Sequence, residues 1–85
     1  MKIEKNKLIP ISVIGASNTD EKTLKTAFKV GQLIASKKGI VICGGLGGIM
    51  ESVCKGAKSA NGITIGILPG DDPNDSNDWV DIKIN

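Results

Sequence analysis

The sequence has no histidine and no arginine; all eleven basic residues are lysines. Without an imidazole, no side chain ordinarily titrates near neutral pH to act as acid, base or neutral metal ligand. Without a guanidinium, none grips a phosphate or carboxylate through two parallel hydrogen bonds. Aromatics are nearly absent: Phe28 and Trp79 are the only two. A core must therefore be Ile, Val, Leu and Ala, and a stacking groove for unpaired bases is excluded. Long apolar runs are lacking too, so the sequence offers neither a signal-peptide core nor a membrane span. Cysteine is scarce: Cys43 and Cys54 form no CxxC pair. With no histidine to activate them they read as reduced, small buried hydrophobes, and the composition is that of a cytoplasmic protein.

What is present is one small domain of 85 residues, burying about 60–65% of its unfolded surface, with a thin stability margin. The net charge is +2 but unevenly spread. Residues 1–38 hold eight lysines against Glu4, Asp20 and Glu21, while residues 51–85 hold three lysines against six acids. The lysine-rich start reads as a solvated face, and so small a net charge argues against a nucleic-acid partner.

Along the chain, Ile11-Ser12-Val13-Ile14 reads as a first strand, with a start as early as Leu8 also open and Pro10, which cannot donate to a ladder, marking its entry. A helix follows over about 20–38, with Leu24, Ala27, Phe28, Gly31, Ile34 and Ala35 spaced by three and four. Asn18 or Thr19 is suited to cap it, and Gly39 to end it. Ile40-Val41-Ile42-Cys43 is a continuous apolar run, expected of a strand covered on both faces. A second helix spans about 48–60, ended by Asn61-Gly62. Residues 63–68 form a third buried strand, stopped by Pro69-Gly70. The acidic stretch 71–79 reads as a solvated loop, because its five aspartates with Asp81 lack the calcium-loop order; residues 80–84 alternate as a short edge strand. The β-α-β-α-β order predicts an α/β fold with parallel strands in the order 3-2-1 and right-handed crossovers.

The chemistry-bearing segment is Gly44-Gly45-Leu46-Gly47-Gly48, followed by Ile49-Met50. A parallel strand delivers it to the carboxyl edge of the sheet, where glycines admit a ligand close to the backbone. Free N–H groups at the next helix start, with the helix dipole, make an anion site. A charge there gains about 0.3–1 kcal/mol when exposed and about 2 when partly buried. The Gly-Lys-Ser/Thr ending of a P-loop is absent, and glycines that only pack helix on strand remain the other reading. Gly15, Ala16 and Ser17 end the neighbouring strand, with Ser17 offering a hydroxyl to the ligand or capping a turn. Pro69 and Gly70 end the third strand, and Glu51 sits in the first turn of the second helix, either supporting its dipole or touching a ligand hydroxyl. The candidate site is thus Gly15, Ala16, Ser17, Gly44, Gly45, Leu46, Gly47, Gly48, Met50, Pro69 and Gly70, with Glu51 as a further contact and no metal ligands.

These segments resemble one family: Ile11-Ser-Val-Ile-Gly-Ala-Ser, Cys43-Gly-Gly-Leu-Gly-Gly-Ile-Met-Glu, Lys55-Gly-Ala-Lys and Gly66-Ile-Leu-Pro-Gly, in order and spacing. It is the molybdenum-cofactor-carrier-like branch of the Lonely Guy/lysine-decarboxylase-like superfamily, with DNA-processing protein A more distant. Glu51, where Lonely Guy enzymes usually have glycine, favours the carrier branch. The resemblance implies a Rossmann-like, three-layer α/β/α domain, of which residues 1–85 form the N-terminal half. It implies a non-covalent nucleotide or molybdenum cofactor, held by its phosphate at the sheet's carboxyl edge. Family members continue with an Arg-Asn or Arg-Lys segment and a second turn, Gly-Gly-x-Gly-Thr-x-x-Glu, which have no counterpart in these residues. Three functions stay open: a phosphate- or cofactor-binding module, half of a nucleoside 5'-monophosphate phosphoribohydrolase, or an accessory to DNA processing. The partner expected is a phosphate-containing small molecule, with either a second copy or a C-terminal half completing the domain.

Overall fold

The computed structural model describes residues 8–85, so Lys2, Lys5 and Lys7 of the lysine-rich start lie outside the described residues. The elements are β1 (Ile9–Ser12), α1 (Glu21–Ser36), β2 (Gly39–Cys43), α2 (Ile49–Ser59), β3 (Ile63–Ile67) and β4 (Ile82–Ile84), with a 3-10 turn at Pro73–Asp75. All strands are parallel, in the order β1-β2-β3-β4. The expected three-strand order holds, and the alternating residues near the end add β4 outside β3.

β1 begins at Ile9, between the two expected starts at Leu8 and Ile11, and ends at Ser12, two residues before the expected Ile14. Pro10 lies inside it, paired in register with Ile40. Ile9 donates to the carbonyl of Lys38, just before β2, and Val13 to that of Ile42 within it. Alternation along a parallel ladder turns the Pro10 nitrogen to the unpaired edge, where no donor is needed.

α1 is capped by Asp20, not by Asn18 or Thr19: its carboxylate accepts from the Thr23 N–H at 2.8 Å. The Thr23 side chain, and then this N–H bond, hold the Asp20 pKa below the usual aspartate value. Asp20→Ala is expected to lower the midpoint of urea denaturation, and Asp20→Asn to lower it much less, because the asparagine oxygen can still accept the Thr23 N–H. Gly39 is not the helix stop. Lys38 takes the left-handed conformation (φ 63°) and Gly39 already opens β2. A side chain at Gly39 would run into the Ile34 side chain and carbonyl.

Both crossovers step in the same direction, so right-handed connections place both helices on one face. Val41, Cys43 and Thr64 point to that face and are buried with Ala27, Ile34, Met50, Val53, Cys54 and Ala57. The helices meet at glycines. A Cβ on Gly31 would strike the Val53 carbonyl, and one on Gly56 the Phe28 carbonyl. These are contacts of backbone on backbone.

The other face presents Ile40 beside Ile63, Ile42 beside Ile65 and Ile82, and Ile67 beside Ile84. Among the described residues nothing covers it: Ile67, Ile82 and Ile84 are each about half exposed. The described residues therefore supply the sheet and one helix layer of a layered α/β domain.

The 71–85 segment is tied down rather than only solvated. Val80 is buried against Gly66. The fully buried Thr64 hydroxyl donates to the Trp79 carbonyl at 2.6 Å and accepts from the Asp81 N–H at 2.8 Å. The Asp81 carboxylate pairs with Lys58 at 2.8 Å and accepts the Thr64 N–H at 3.1 Å. Partial burial alone would raise the Asp81 pKa, but Lys58 and Thr64 together lower it. No helix among the described residues is long and apolar enough to cross a membrane.

Candidate functional site

The turn between β2 and α2 is built by two left-handed glycines, Gly45 (φ 77°) and Gly48 (φ 70°). Each is also a point of close packing. A Cβ on Gly48 would strike the Ala16 and Ser17 carbonyls, and one on Gly45 would stand 2.7 Å from Leu68 Cδ2. The Ile49 N–H donates to the Ala16 carbonyl at 3.0 Å, and a Cβ on Gly15 would press on the Ile49 side chain. So Gly15, Ala16 and Ser17 do lie against the glycine turn, and the carboxyl ends of β1, β2 and β3 converge there.

Gly47 differs from its neighbours. Its φ is not positive, and a Cβ there would meet only Glu51 Oε1, at 3.8 Å. Its outer side is open, and Glu51 lies beside it, exposed. Gly48 caps α2 with no side-chain hydrogen bond. The Ser52 N–H reaches back to Gly48, but among the described residues the N–H groups of Leu46, Gly47, Gly48, Met50 and Glu51 make no hydrogen bond to the protein. They are left for water or a ligand, and they carry the positive end of the α2 dipole.

Four candidates behave differently. The Met50 side chain goes into the core beneath Gly44, so only its backbone N–H can belong to the site. Ser17 is exposed at the rim. Pro69 and Gly70 are exposed, and Gly70 is bound by Asn85, whose amide donates to the Gly70 carbonyl at 2.9 Å. The residue of the third strand end that touches the turn is the buried Leu68.

Sequence reasoning missed Asn77. Its backbone N–H donates to the Gly45 carbonyl at 2.7 Å and its amide to the Leu46 carbonyl at 2.8 Å. Its own side-chain oxygen accepts from the Trp79 N–H at 2.9 Å. Asn77 thus holds the turn's carbonyls back, leaving its N–H groups outward. A lone asparagine in an acidic loop, 32 residues from its target, gives no local signal of this.

Beneath the turn the two cysteine sulfurs lie 3.5 Å apart, and the Gly45 N–H donates to Cys43 Sγ at 3.3 Å. The Cys54 thiol draws Cys43 below the ordinary thiol range, burial opposes this, and the Gly45 N–H adds to it. Cys54 is pushed up by the bond it donates to Cys43 and by burial. A shallow hollow of about 260 Å³ opens beside the turn, lined by Val13, Ile42, Cys43, Gly44 and Ile67 among others. A larger one, about 350 Å³, lies at the amino ends of the strands around Lys38 and Gly62, away from every free N–H described above.

The fold is a Rossmann-like α/β unit with a glycine-rich turn at the carboxyl edge of its sheet. The chain belongs to the SLOG cluster4 family, which matches residues 8–85. It is 50% identical over 78 residues to an uncharacterized protein of Archaeoglobus fulgidus, covering 92% of this chain and 51% of that one. The molybdenum cofactor binding protein of Rippkaea orientalis is 40% identical with a TM-score of 0.87 over 92% of this chain and 49% of its own. The molybdenum cofactor carrier protein of Chlamydomonas reinhardtii is 40% identical with a TM-score of 0.78, over the same shares. The chain thus spans about half the length of the relatives it matches.

Proposed function

We propose that the Gly44–Gly48 turn binds the phosphate of a small phosphorylated cofactor, of the pterin type that molybdenum cofactor carriers bind. The single observation that carries this is the group of unpartnered N–H groups on Leu46, Gly47, Gly48, Met50 and Glu51, set around the open side of Gly47. In a chain without arginine, backbone N–H groups and a helix start are the donors suited to a phosphate. The relatives named for the molybdenum cofactor support the choice of ligand class. Ser17 and Glu51, at the rim, are placed to meet hydroxyl or amino groups of the same ligand. The reading is tested by denaturing protein purified from cells that make the cofactor and assaying the supernatant for a phosphorylated pterin. Stoichiometric release supports it; a stoichiometric nucleotide instead changes the ligand class.

This is binding without turnover. Cleaving a nucleotide's N-glycosidic bond calls for acid–base help commonly worth about 10² to 10⁴ in rate. At the turn there is one carboxylate, Glu51, and no histidine in the chain to pair with it. Incubation of the purified chain with nucleoside monophosphates is expected to release no free base above a Glu51→Ala control. Release that depends on Glu51 would make it a catalytic residue and overturn the reading.

The open isoleucine face and the edge of β1, unpaired among the described residues, further lead us to propose that the isolated chain associates with a second copy. A contiguous apolar face and a free strand edge both favour association. Sedimentation is expected to show concentration-dependent association in the micromolar range, weakened by Ile82→Lys, which puts a charge on the exposed face. A stable monomer at all these concentrations contradicts it.

A further inference from the structure

We propose that Cys43 and Cys54 are a modification site, a dithiol that a hydroperoxide converts into an internal disulfide enclosing the glycine turn. The sulfurs already touch, at 3.5 Å. A disulfide needs them roughly 1.5 Å closer, at about 2.05 Å. The two residues stand on elements joined only by the turn, Cys43 at the end of β2 and Cys54 at the middle of α2. The bond would therefore close a ring containing Gly44 to Gly48.

The two thiols are not equivalent. Cys54 is wholly buried, whereas Cys43 keeps 5% exposure and lines the shallow hollow beside the turn. Cys43, at the carboxyl end of β2 beside the turn, is the less buried of the two residues, and the attack on the peroxide is assigned to it. Its thiolate attacks one peroxide oxygen, breaking the O–O bond and forming Cys43–SOH, and the other oxygen leaves as water or alcohol. Cys54 then attacks the Cys43 sulfur, the S–S bond forms, and the hydroxyl leaves as water with the Cys54 proton. Two thiols are oxidised by two electrons, and one hydroperoxide is reduced to water and an alcohol, or to two waters.

The bond acts on the turn through Gly45. Its N–H donates to Cys43 Sγ at 3.3 Å while its carbonyl is held by Asn77. Drawing that sulfur toward Cys54 removes the acceptor from the N–H side of a left-handed glycine.

Both cysteines fall in one tryptic peptide, from Gly39 to Lys55. After treatment of the reduced full chain with equimolar hydrogen peroxide and alkylation under denaturing conditions, that peptide is expected unalkylated and about 2 Da lighter. Met50 sulfoxide, which adds about 16 Da to the same peptide, is counted separately. The Gly45 amide resonance is expected to shift on oxidation and return with a dithiol reductant. Cys54→Ala, or Cys54→Ser should the alanine variant not fold, is expected to lose both effects. Two alkylated thiols after peroxide, Cys43 overoxidised beside an alkylated Cys54, disulfide-linked dimers, or an unmoved Gly45 amide would each overturn the proposal. None of these readouts uses a ligand, so they are independent of whether the turn binds phosphate.

Discussion

Gly56→Ala is expected to destabilise the chain by about 3 kcal/mol, the upper part of the range for overpacking. The expected sign is the informative part. In an ordinary helix interior, replacing glycine with alanine stabilises by about 1 kcal/mol through backbone entropy. Here the added methyl would stand inside the Phe28 carbonyl of α1. No side chain at that contact can turn aside; the helices must separate. Separation would also loosen the reciprocal contact, where Gly31 faces the Val53 carbonyl. For a domain of this size, a loss of that order lowers the melting temperature by about 12–24 °C. Gly47→Ala is the control, since its methyl enters open space. A Gly56→Ala chain as stable as the control would show that the helices do not meet backbone to backbone.

Gly31 itself illustrates what the sequence reveals and what it hides. Its spacing with Leu24, Ala27, Phe28 and Ile34 places it on the inner face of α1, and the structure buries it there. That this position must be glycine depends on α2 lying within a methyl's reach, which no local pattern encodes. The strand order was legible for a simple reason: apolar runs alternate with amphipathic helices, and right-handed crossovers leave few arrangements. The capping residue was not. Asn18, Thr19 and Asp20 are all competent caps, and the path of the chain out of the Gly15–Ser17 turn selects Asp20. Ile40 and Ile42 are as apolar as Val41, so their run reads as covered on both sides, yet the described helices cover only the face of Val41 and Cys43. At the site, the glycine turn was legible because its residue types are rare and adjacent. Asn77, Leu68 and the Cys43–Cys54 contact were not, since tertiary packing alone brings them to the turn.

The second large effect concerns Gly47, the open position of the turn. Gly47→Asp puts a carboxylate where the phosphate reading places an anion, at the start of α2 and close to Glu51. Two like charges about 4 Å apart repel by about 1 kcal/mol in water and more where water is partly excluded. The new side chain also competes for the free N–H groups of Gly48, Met50 and Glu51, as a carboxylate near a helix start does. Affinity is therefore expected to fall at least about tenfold, which corresponds to about 1.4 kcal/mol. The fold should tolerate the change, because Gly47 has no positive φ and no atom closer than Glu51 Oε1 to a new Cβ.

The most direct measurement is therefore a titration of three proteins, wild type, Gly47→Ala and Gly47→Asp, with inorganic phosphate and with a phosphorylated pterin, alongside their melting curves. The expected result is three similar melting temperatures, near-equal affinities for wild type and Gly47→Ala, and a loss of tenfold or more for Gly47→Asp with both ligands. Equal affinities in all three proteins, or no saturable binding by the folded wild type, would contradict a phosphate site at this turn.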